Sequence, residues 1–327
     1  MSVVYLATQE SPIKRTVAIK VIRPSLLAPM TVLRFFKEQQ ALALVGHPNI
    51  ATLYEVGTTS EGLPFAVIEY VDGMPITQFC ENLSLNLRER IQLFTEACLG
   101  LQHAHRHGIV HRDIKPDNVI VGLENGKPIP KLIDFGIAKI NRGDLPDNPT
   151  MTKVGQILGS PRYMSPEQYD QKPVDSRSDV YSAGLILFEM LANSPYRQGD
   201  ATNVIIDRDK IEASELLSER IRRQALESAD DPETSNIKDE SKLNSASKLI
   251  SFCKRDLNWI LQKALALDPD DRYQDVASLV KDLNATLNNQ PVSVSAPSLF
   301  VQSRKFVSSN LRSLGIVALL TLSLIHI

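Results

Sequence analysis

Two runs rich in β-branched residues, 3–8 and 16–22, flank the polar stretch 9–15, a pattern that predicts a β-hairpin at the start of the chain. A helix is predicted next, opened by Pro29 and Thr31, carrying Leu33, Phe36, Gln40 and Leu44, and ended by Gly46 and Pro48. Strand-like runs return at 50–58 and 64–71, with Glu61 and Gly62 in the turn between them. After a predicted turn at Asp72 and Gly73 the period changes. Leu87, Ile91, Phe94, Cys98 and Leu101 recur at steps of four and three, which places them on one helical face, with Ser84 as the expected N-cap. Short strand-like pieces at 119–121 and 131–133 flank a Gly/Asn turn, and a long polar loop is expected over 141–161. Helical spacing then dominates, in Val180, Ala183, Gly184, Leu187 and Leu191, in Leu257, Ile260, Leu261 and Ala264, and in Val276, Leu279, Val280, Leu283 and Leu287. The fold expected is therefore α+β, with a small, mainly-β part over 1–71 and a large, mainly-α part over 72–288. A polar stretch at about 198–247, centred on Asp230, Asp231, Pro232 and Glu233, reads as an insertion between helices.

Composition narrows the function classes. A chain of 327 residues that is 43% hydrophobic and 23% charged, with 15 Gly and 19 Pro, is globular and long enough for two lobes, not collagenous, disordered or coiled-coil. Its 36 Lys plus Arg nearly balance 38 Asp plus Glu, so no global charge footprint points to nucleic acid. Cys80, Cys98 and Cys253 are too few and too far apart for a disulfide framework or a zinc cluster, and a reducing compartment is expected. No charged leader with an apolar stretch opens the chain, so secretion is not expected.

The chemistry concentrates in His111-Arg112-Asp113-Ile114-Lys115-Pro116-Asp117-Asn118, followed sixteen residues after Asn118 by Asp134-Phe135-Gly136. Either short motif alone would be read as charges on a solvated loop. In this order and spacing they resemble the catalytic loop and magnesium loop of protein kinases. By that resemblance Asp113 accepts the proton of a substrate hydroxyl, Lys115 steadies the γ-phosphate of ATP, and Asn118 and Asp134 hold Mg2+. Hard cations need oxygen ligands, and a transferring phosphoryl group needs positive charge around it. Val17-Ala18-Ile19-Lys20 resembles the kinase strand whose Lys meets the α- and β-phosphates, and its implied partner is Glu38, eighteen residues later on the predicted helix.

The resemblance implies further roles. Ala18 and Val4 would line the nucleotide site, and Glu69 and Val71 would offer main-chain groups to adenine beside the gatekeeper Ile68. Leu42, His111 and Phe135 would stack between the lobes. Ser165-Pro166-Glu167 stands where the family has Ala-Pro-Glu, with Glu167 pairing to Arg272 and Asp179 bracing the catalytic loop. Gly159 to Met164 matches the substrate-docking loop, in which Ser160 would support Asp113 and Lys115. Arg112 before Asp113 marks kinases whose activation loop is ordered by an Arg to phosphate pair, with Thr150 and Thr152 as the candidate acceptors. Lys115, two residues after Asp113, is the serine/threonine-type signature.

The resemblance covers about residues 1–288 and is close to bacterial eukaryotic-like Ser/Thr protein kinases, in particular a planctomycete-type, membrane-anchored subgroup. That subgroup is similar over Asp256-Leu257-Asn258-Trp259-Ile260, Asp271-Arg272-Tyr273 and the tail leading to Arg304-Lys305-Phe306. Residues 289–313 are expected to be a juxtamembrane linker and the apolar run 314–327 the start of a transmembrane helix. Its fourteen residues reach roughly 21 Å at about 1.5 Å each, short of a roughly 30 Å hydrocarbon core. Arg304, Lys305 and Arg312 would keep the kinase on the cytoplasmic side. Two departures stand out: in the Gly-rich loop Ser2 occupies the third Gly position with the first two before Met1, and the first strand is missing. Truncation at both ends is therefore expected, with Met1 an internal methionine. The rival classes are a pseudokinase scaffold, which would have lost Lys20, Asp113, Asn118 or Asp134, and a small-molecule kinase, which would lack Ser165-Pro166-Glu167. The expected partners are protein substrates, ATP and a membrane, with no nucleic acid.

Overall fold

The structure, a computed structural model, describes residues 2–24, 29–135, 161–192, 256–288 and 290–294. The two opening runs form strands β1 (Ser2–Gln9) and β2 (Arg15–Ile22), and the next two form β3 (Leu53–Thr58) and β4 (Pro64–Glu69). All four pair antiparallel in the order β1-β2-β4-β3. Directly opposed residues share a face, so the register, Val4 opposite Lys20 opposite Ala66 and Leu6 opposite Ala18 opposite Ile68, puts these six side chains on one side of the sheet. Helix α1 (Pro29–Ala43) lies across the sheet, where Phe35 packs with Ile22 and Ala66.

A three-stranded sheet begins the large lobe. Its strands are β5 (Gly73–Pro75), β6 (Val119–Glu124) and β7 (Lys127–Leu132). Asn125 and Gly126, with φ of 52° and 76°, make the two-residue β6–β7 turn, a conformation this dipeptide supplies readily. Gly73 opens β5 instead of forming the expected turn. A Cβ there would sit 2.1 Å from the Val121 carbonyl oxygen, so only glycine allows β5 to lie this close to β6.

The short helix α2 (Ile76–Asn82) leads into α3 (Leu87–Arg106), whose predicted face is buried at Ile91, Phe94, Cys98 and Leu101. The N-cap of α3 is Asn86 and not Ser84. Asn86 accepts from the Glu89 N–H while Glu89 reaches back to the Asn86 N–H, a reciprocal pair that Ser84, in a left-handed turn at φ 48°, cannot make. After α4 (Pro166–Tyr169) comes α5 (Ser176–Ala192), in which 14 of 17 residues are buried. A helix covered on all sides is a core pillar, and α5 fixes the loops that touch its N-terminus. Helices α6 (Asn258–Ala264) and α7 (Val276–Leu287) close the lobe.

The first residues of the expected linker are packed. The buried Asp282 carboxylate accepts the Tyr273 hydroxyl, the Ser293 N–H and the Ser293 hydroxyl, each at 2.8 Å, and Val292 and Val294 rest on the core. The expected polar loop except residue 161, the 198–247 insertion and the 314–327 span lie outside the described residues. Among those described, no helix is long and apolar enough to cross a membrane.

Candidate active site

The segment 111–118 is held from below by Asp179, in the first turn of α5 and 1% exposed. Its carboxylate accepts the main-chain N–H groups of His111 at 2.7 Å and Arg112 at 2.8 Å, and it meets His105 Nε2 at 2.8 Å. These bonds hold Arg112 at φ 63°, a left-handed conformation that costs an ordinary side chain about 1–2 kcal/mol. Gln168 donates its amide to the Arg112 carbonyl at 2.8 Å. His111 is buried and bonded at both nitrogens: Nε2 donates to the Ile133 carbonyl at 3.1 Å and Nδ1 accepts the Asp113 N–H at 3.3 Å. That pattern requires neutral imidazole. Burial pushes His111 below the usual imidazole range, and the nearby carboxylates of Asp179, Asp113 and Asp134 do not offset it. Its ring lies 4.3 Å from that of Phe135.

Above this support the charged residues meet. Asn118 Nδ2 donates to the Asp113 carbonyl at 2.8 Å and to Asp113 Oδ2 at 3.2 Å, and Lys115 Nζ is 3.5 Å from the same oxygen. The Asn118 carbonyl accepts the Ile133 N–H at 2.9 Å, which sets Asp134 beside the loop. Asp134 has φ 58°, and its carboxylate is hydrogen-bonded to the Lys20 ammonium of β2. Glu38 lies on α1, but its side chain is outside the described residues, so the partner seen for Lys20 is Asp134. With Asn118 Nδ2 engaged, Oδ1 is left as an acceptor, and Asp134 adds carboxylate oxygen. Hard oxygen donors of this kind are what magnesium takes in nucleotide sites. Apolar walls suit a base: Leu42, Leu53, Ala66, Ile68 and Phe135 line one cavity together with Lys20 and Asp134.

The remaining expected residues are placed as follows. Ser2 and Val4 lie on β1 opposite Ile22 and Lys20, with Val4 58% exposed, and Ala18 lies opposite Ile68. Glu69 ends β4 and Val71 follows it in the linker between the lobes. Glu167 and Arg272 form a two-bond pair at 2.7 and 2.7 Å, and the Ser178 hydroxyl also donates to Glu167. Burial alone would raise the Glu167 carboxyl, but Arg272 and Ser178 more than offset this and hold it below the usual range. Thr150, Thr152 and Ser160 lie outside the described residues.

Three contributors were not singled out from the sequence: Gln168, His105 and Lys131. Gln168 was legible, because Ser165-x-x-Gln168 is a capping-box pattern and the structure shows both of its bonds. His105, and the pairing of the Glu69 side chain with Lys131, join residues far apart in sequence and leave no local signal.

Comparisons with known proteins agree with this fold. The protein kinase domain family matches residues 1–283. The chain is 31% identical over 296 residues to the serine/threonine-protein kinase PknB of Mycobacterium leprae, covering 89% of this chain and 42% of that protein. It is 34% identical over 301 residues to the probable serine/threonine-protein kinase SCO3848 of Streptomyces coelicolor, covering 90% and 39%. It thus spans about two fifths of the length of these relatives. The crystal structure of the Mycobacterium tuberculosis PknI kinase domain superposes with a TM-score of 0.57 at 23% identity, covering 86% of this chain and 90% of that one, a likeness of fold. A bilobal fold of this kind, and a family match over most of its length, make the chain a member of the protein kinase domain family.

Proposed function

We propose that the chain is an ATP-dependent protein kinase of bacterial signalling, of the PknB type, that transfers the γ-phosphate to Ser or Thr hydroxyls of protein substrates. The observation that carries this reading is the cluster of Asp113, Lys115 and Asn118 joined through the Asn118–Ile133 bond to the Lys20–Asp134 pair. Asp113 accepts the hydroxyl proton as the acceptor oxygen bonds to γ-phosphorus and the bond to the bridging oxygen breaks, releasing ADP. Lys115 balances charge on the moving phosphoryl group, and Lys20 balances charge on the phosphates that stay behind. Asn118 and Asp134 would hold magnesium, whose charge neutralises the phosphate oxygens. Main-chain groups of Glu69 and Val71 receive adenine, under Ala18 and Val4 with Ser2 at the strand's start. Incubation with γ-labelled ATP, magnesium and a generic basic protein tests this reading: label should appear on Ser or Thr, and no incorporation above background refutes it.

The same assay reaches the activation loop. Phosphate on Thr150 or Thr152, ordered against Arg112, is expected to raise activity, so the double Thr→Ala chain should transfer about tenfold more slowly. An unchanged rate removes the loop from regulation.

The membrane-anchored, planctomycete-type reading rests on the sequence after Asp256. Residues 314–327 would enter the bilayer with Arg304, Lys305 and Arg312 on the cytoplasmic side, beside the kinase. In cell fractionation the chain should sediment with membranes until detergent is added, and a form ending at residue 313 should not. Equal distribution of the two excludes the anchor.

A further inference from the structure

Glu69 is the last residue of β4, where the small lobe passes into the linker, and Lys131 lies on β7 of the large lobe, three residues before Asp134. Their side chains meet at 2.5 Å, with only 12% of the Lys131 side chain and 20% of the Glu69 side chain exposed. Glu69 is fixed twice more: Oε2 accepts the Thr52 N–H at 3.0 Å and its own N–H donates to the Thr52 carbonyl at 2.8 Å. Lys131 also meets Glu124, on the neighbouring strand, at 2.9 Å. Both groups stay charged in this setting. Burial would raise Glu69, but Lys131 and Thr52 hold it down; burial would lower Lys131, but Glu69 and Glu124 hold it up.

We propose that the Glu69–Lys131 pair is a positioning device for the nucleotide, tying the linker that receives adenine to the strand that delivers Asp134 and so fixing the distance between the two ends of the cleft. This rests on the kinase reading above. The pair is charge-assisted and mostly removed from water, so a linker that shifts relative to β7 must stretch it, and its presence favours the linker position that binds nucleotide. Without it, arrangements with the linker displaced from β7 gain population, and apparent affinity falls in proportion to the fraction that remains competent. None of the groups that would act on the reacting atoms is altered, so the rate at saturating ATP is preserved.

The full chain is assayed for dissociation of a fluorescent ATP analogue and for KM and kcat. Lys131→Met is expected to raise the nucleotide Kd and KM about tenfold, with kcat within about twofold and a cooperative thermal transition retained. Lys131→Arg, which keeps the charge, should recover most of the affinity. Glu124→Gln, which removes only the outer partner, should match the original chain. Unchanged affinity in a folded Lys131→Met chain overturns the positioning role, as does a fall in kcat at constant KM or a failure of Lys131→Arg to recover affinity. Absence of nucleotide binding by the unmodified chain is a different result: it overturns the kinase reading, and this one with it.

Discussion

Asp113→Asn is expected to slow phosphate transfer about 100- to 10,000-fold while nucleotide affinity stays within about threefold. The substitution is nearly isosteric. The Asp113 carbonyl would still accept from Asn118 Nδ2, and its main-chain N–H would still donate to His111, so the loop keeps its shape. What disappears is the anionic oxygen that Asn118 and Lys115 now address at 3.2 and 3.5 Å. An amide cannot take the hydroxyl proton as bond formation proceeds, and Lys115 loses its counter-charge. Single-turnover transfer alongside analogue binding separates the two effects. A variant that retains more than about a third of the original rate removes Asp113 from the chemistry.

Arg272→Met should cost about 3–5 kcal/mol of folding stability, the range found when one member of a buried ion pair is removed. Arg272 is 1% exposed and all five of its N–H donors are engaged: Nε to Ala266, Nη1 to Glu167 and Arg177, and Nη2 to Glu167 and Leu267. Deleting the guanidinium strands a carboxylate and three carbonyls at the junction of α4, α5 and the turn before α7. Pairing it with Glu167→Leu, which leaves no stranded charge, should recover much of the loss. The Glu167 pKa is depressed in the folded chain, so its contribution is present above the ordinary value of 4.5 and is lost as pH falls through the depressed one. Urea unfolding at neutral pH and low temperature checks the magnitude. A loss below about 1 kcal/mol means that the pair does not lock the lobe.

Elements with a long period were legible in the sequence, and those defined by a distant partner were not. The face of α3 carrying Ile91, Phe94, Cys98 and Leu101 is read at one glance because burial repeats with the helical turn. By contrast, β5 is three residues long and exists because β6, nearly fifty residues later, pairs with Gly73 to Pro75. Helix α2, seven residues long, is too brief to establish a period. The N-cap of α3 was misplaced although the signal was present: Ser84 precedes the apolar repeat, but only Asn86 has a Glu three residues on. At the site, Asp113, Asn118 and Asp134 were visible by order and spacing. Lys131 was not, because a Lys on a strand is common, and its meaning lies in Glu69, 62 residues away.

Residues 47–51 sit in sequence between α1 and β3, both parts of the small lobe, yet they are bonded to the large one. Asn49 accepts the Leu132 N–H at 2.9 Å and donates its amide to Pro130 at 2.8 Å, while the Ala51 N–H donates to Leu132 at 2.9 Å. Gly100 of α3 lies so near that a Cβ would fall 2.7 Å from the Asn49 carbonyl oxygen. The chain thus crosses between lobes at 70–72 and is pinned a second time at 47–51. Two such points define an axis, and a turn of the small lobe about the line joining them strains neither. Sliding along the cleft has to break bonds at 47–51, whereas a turn about that line leaves them intact, so rotation is the motion that changes the distance from Lys20 to Asp113 at least cost.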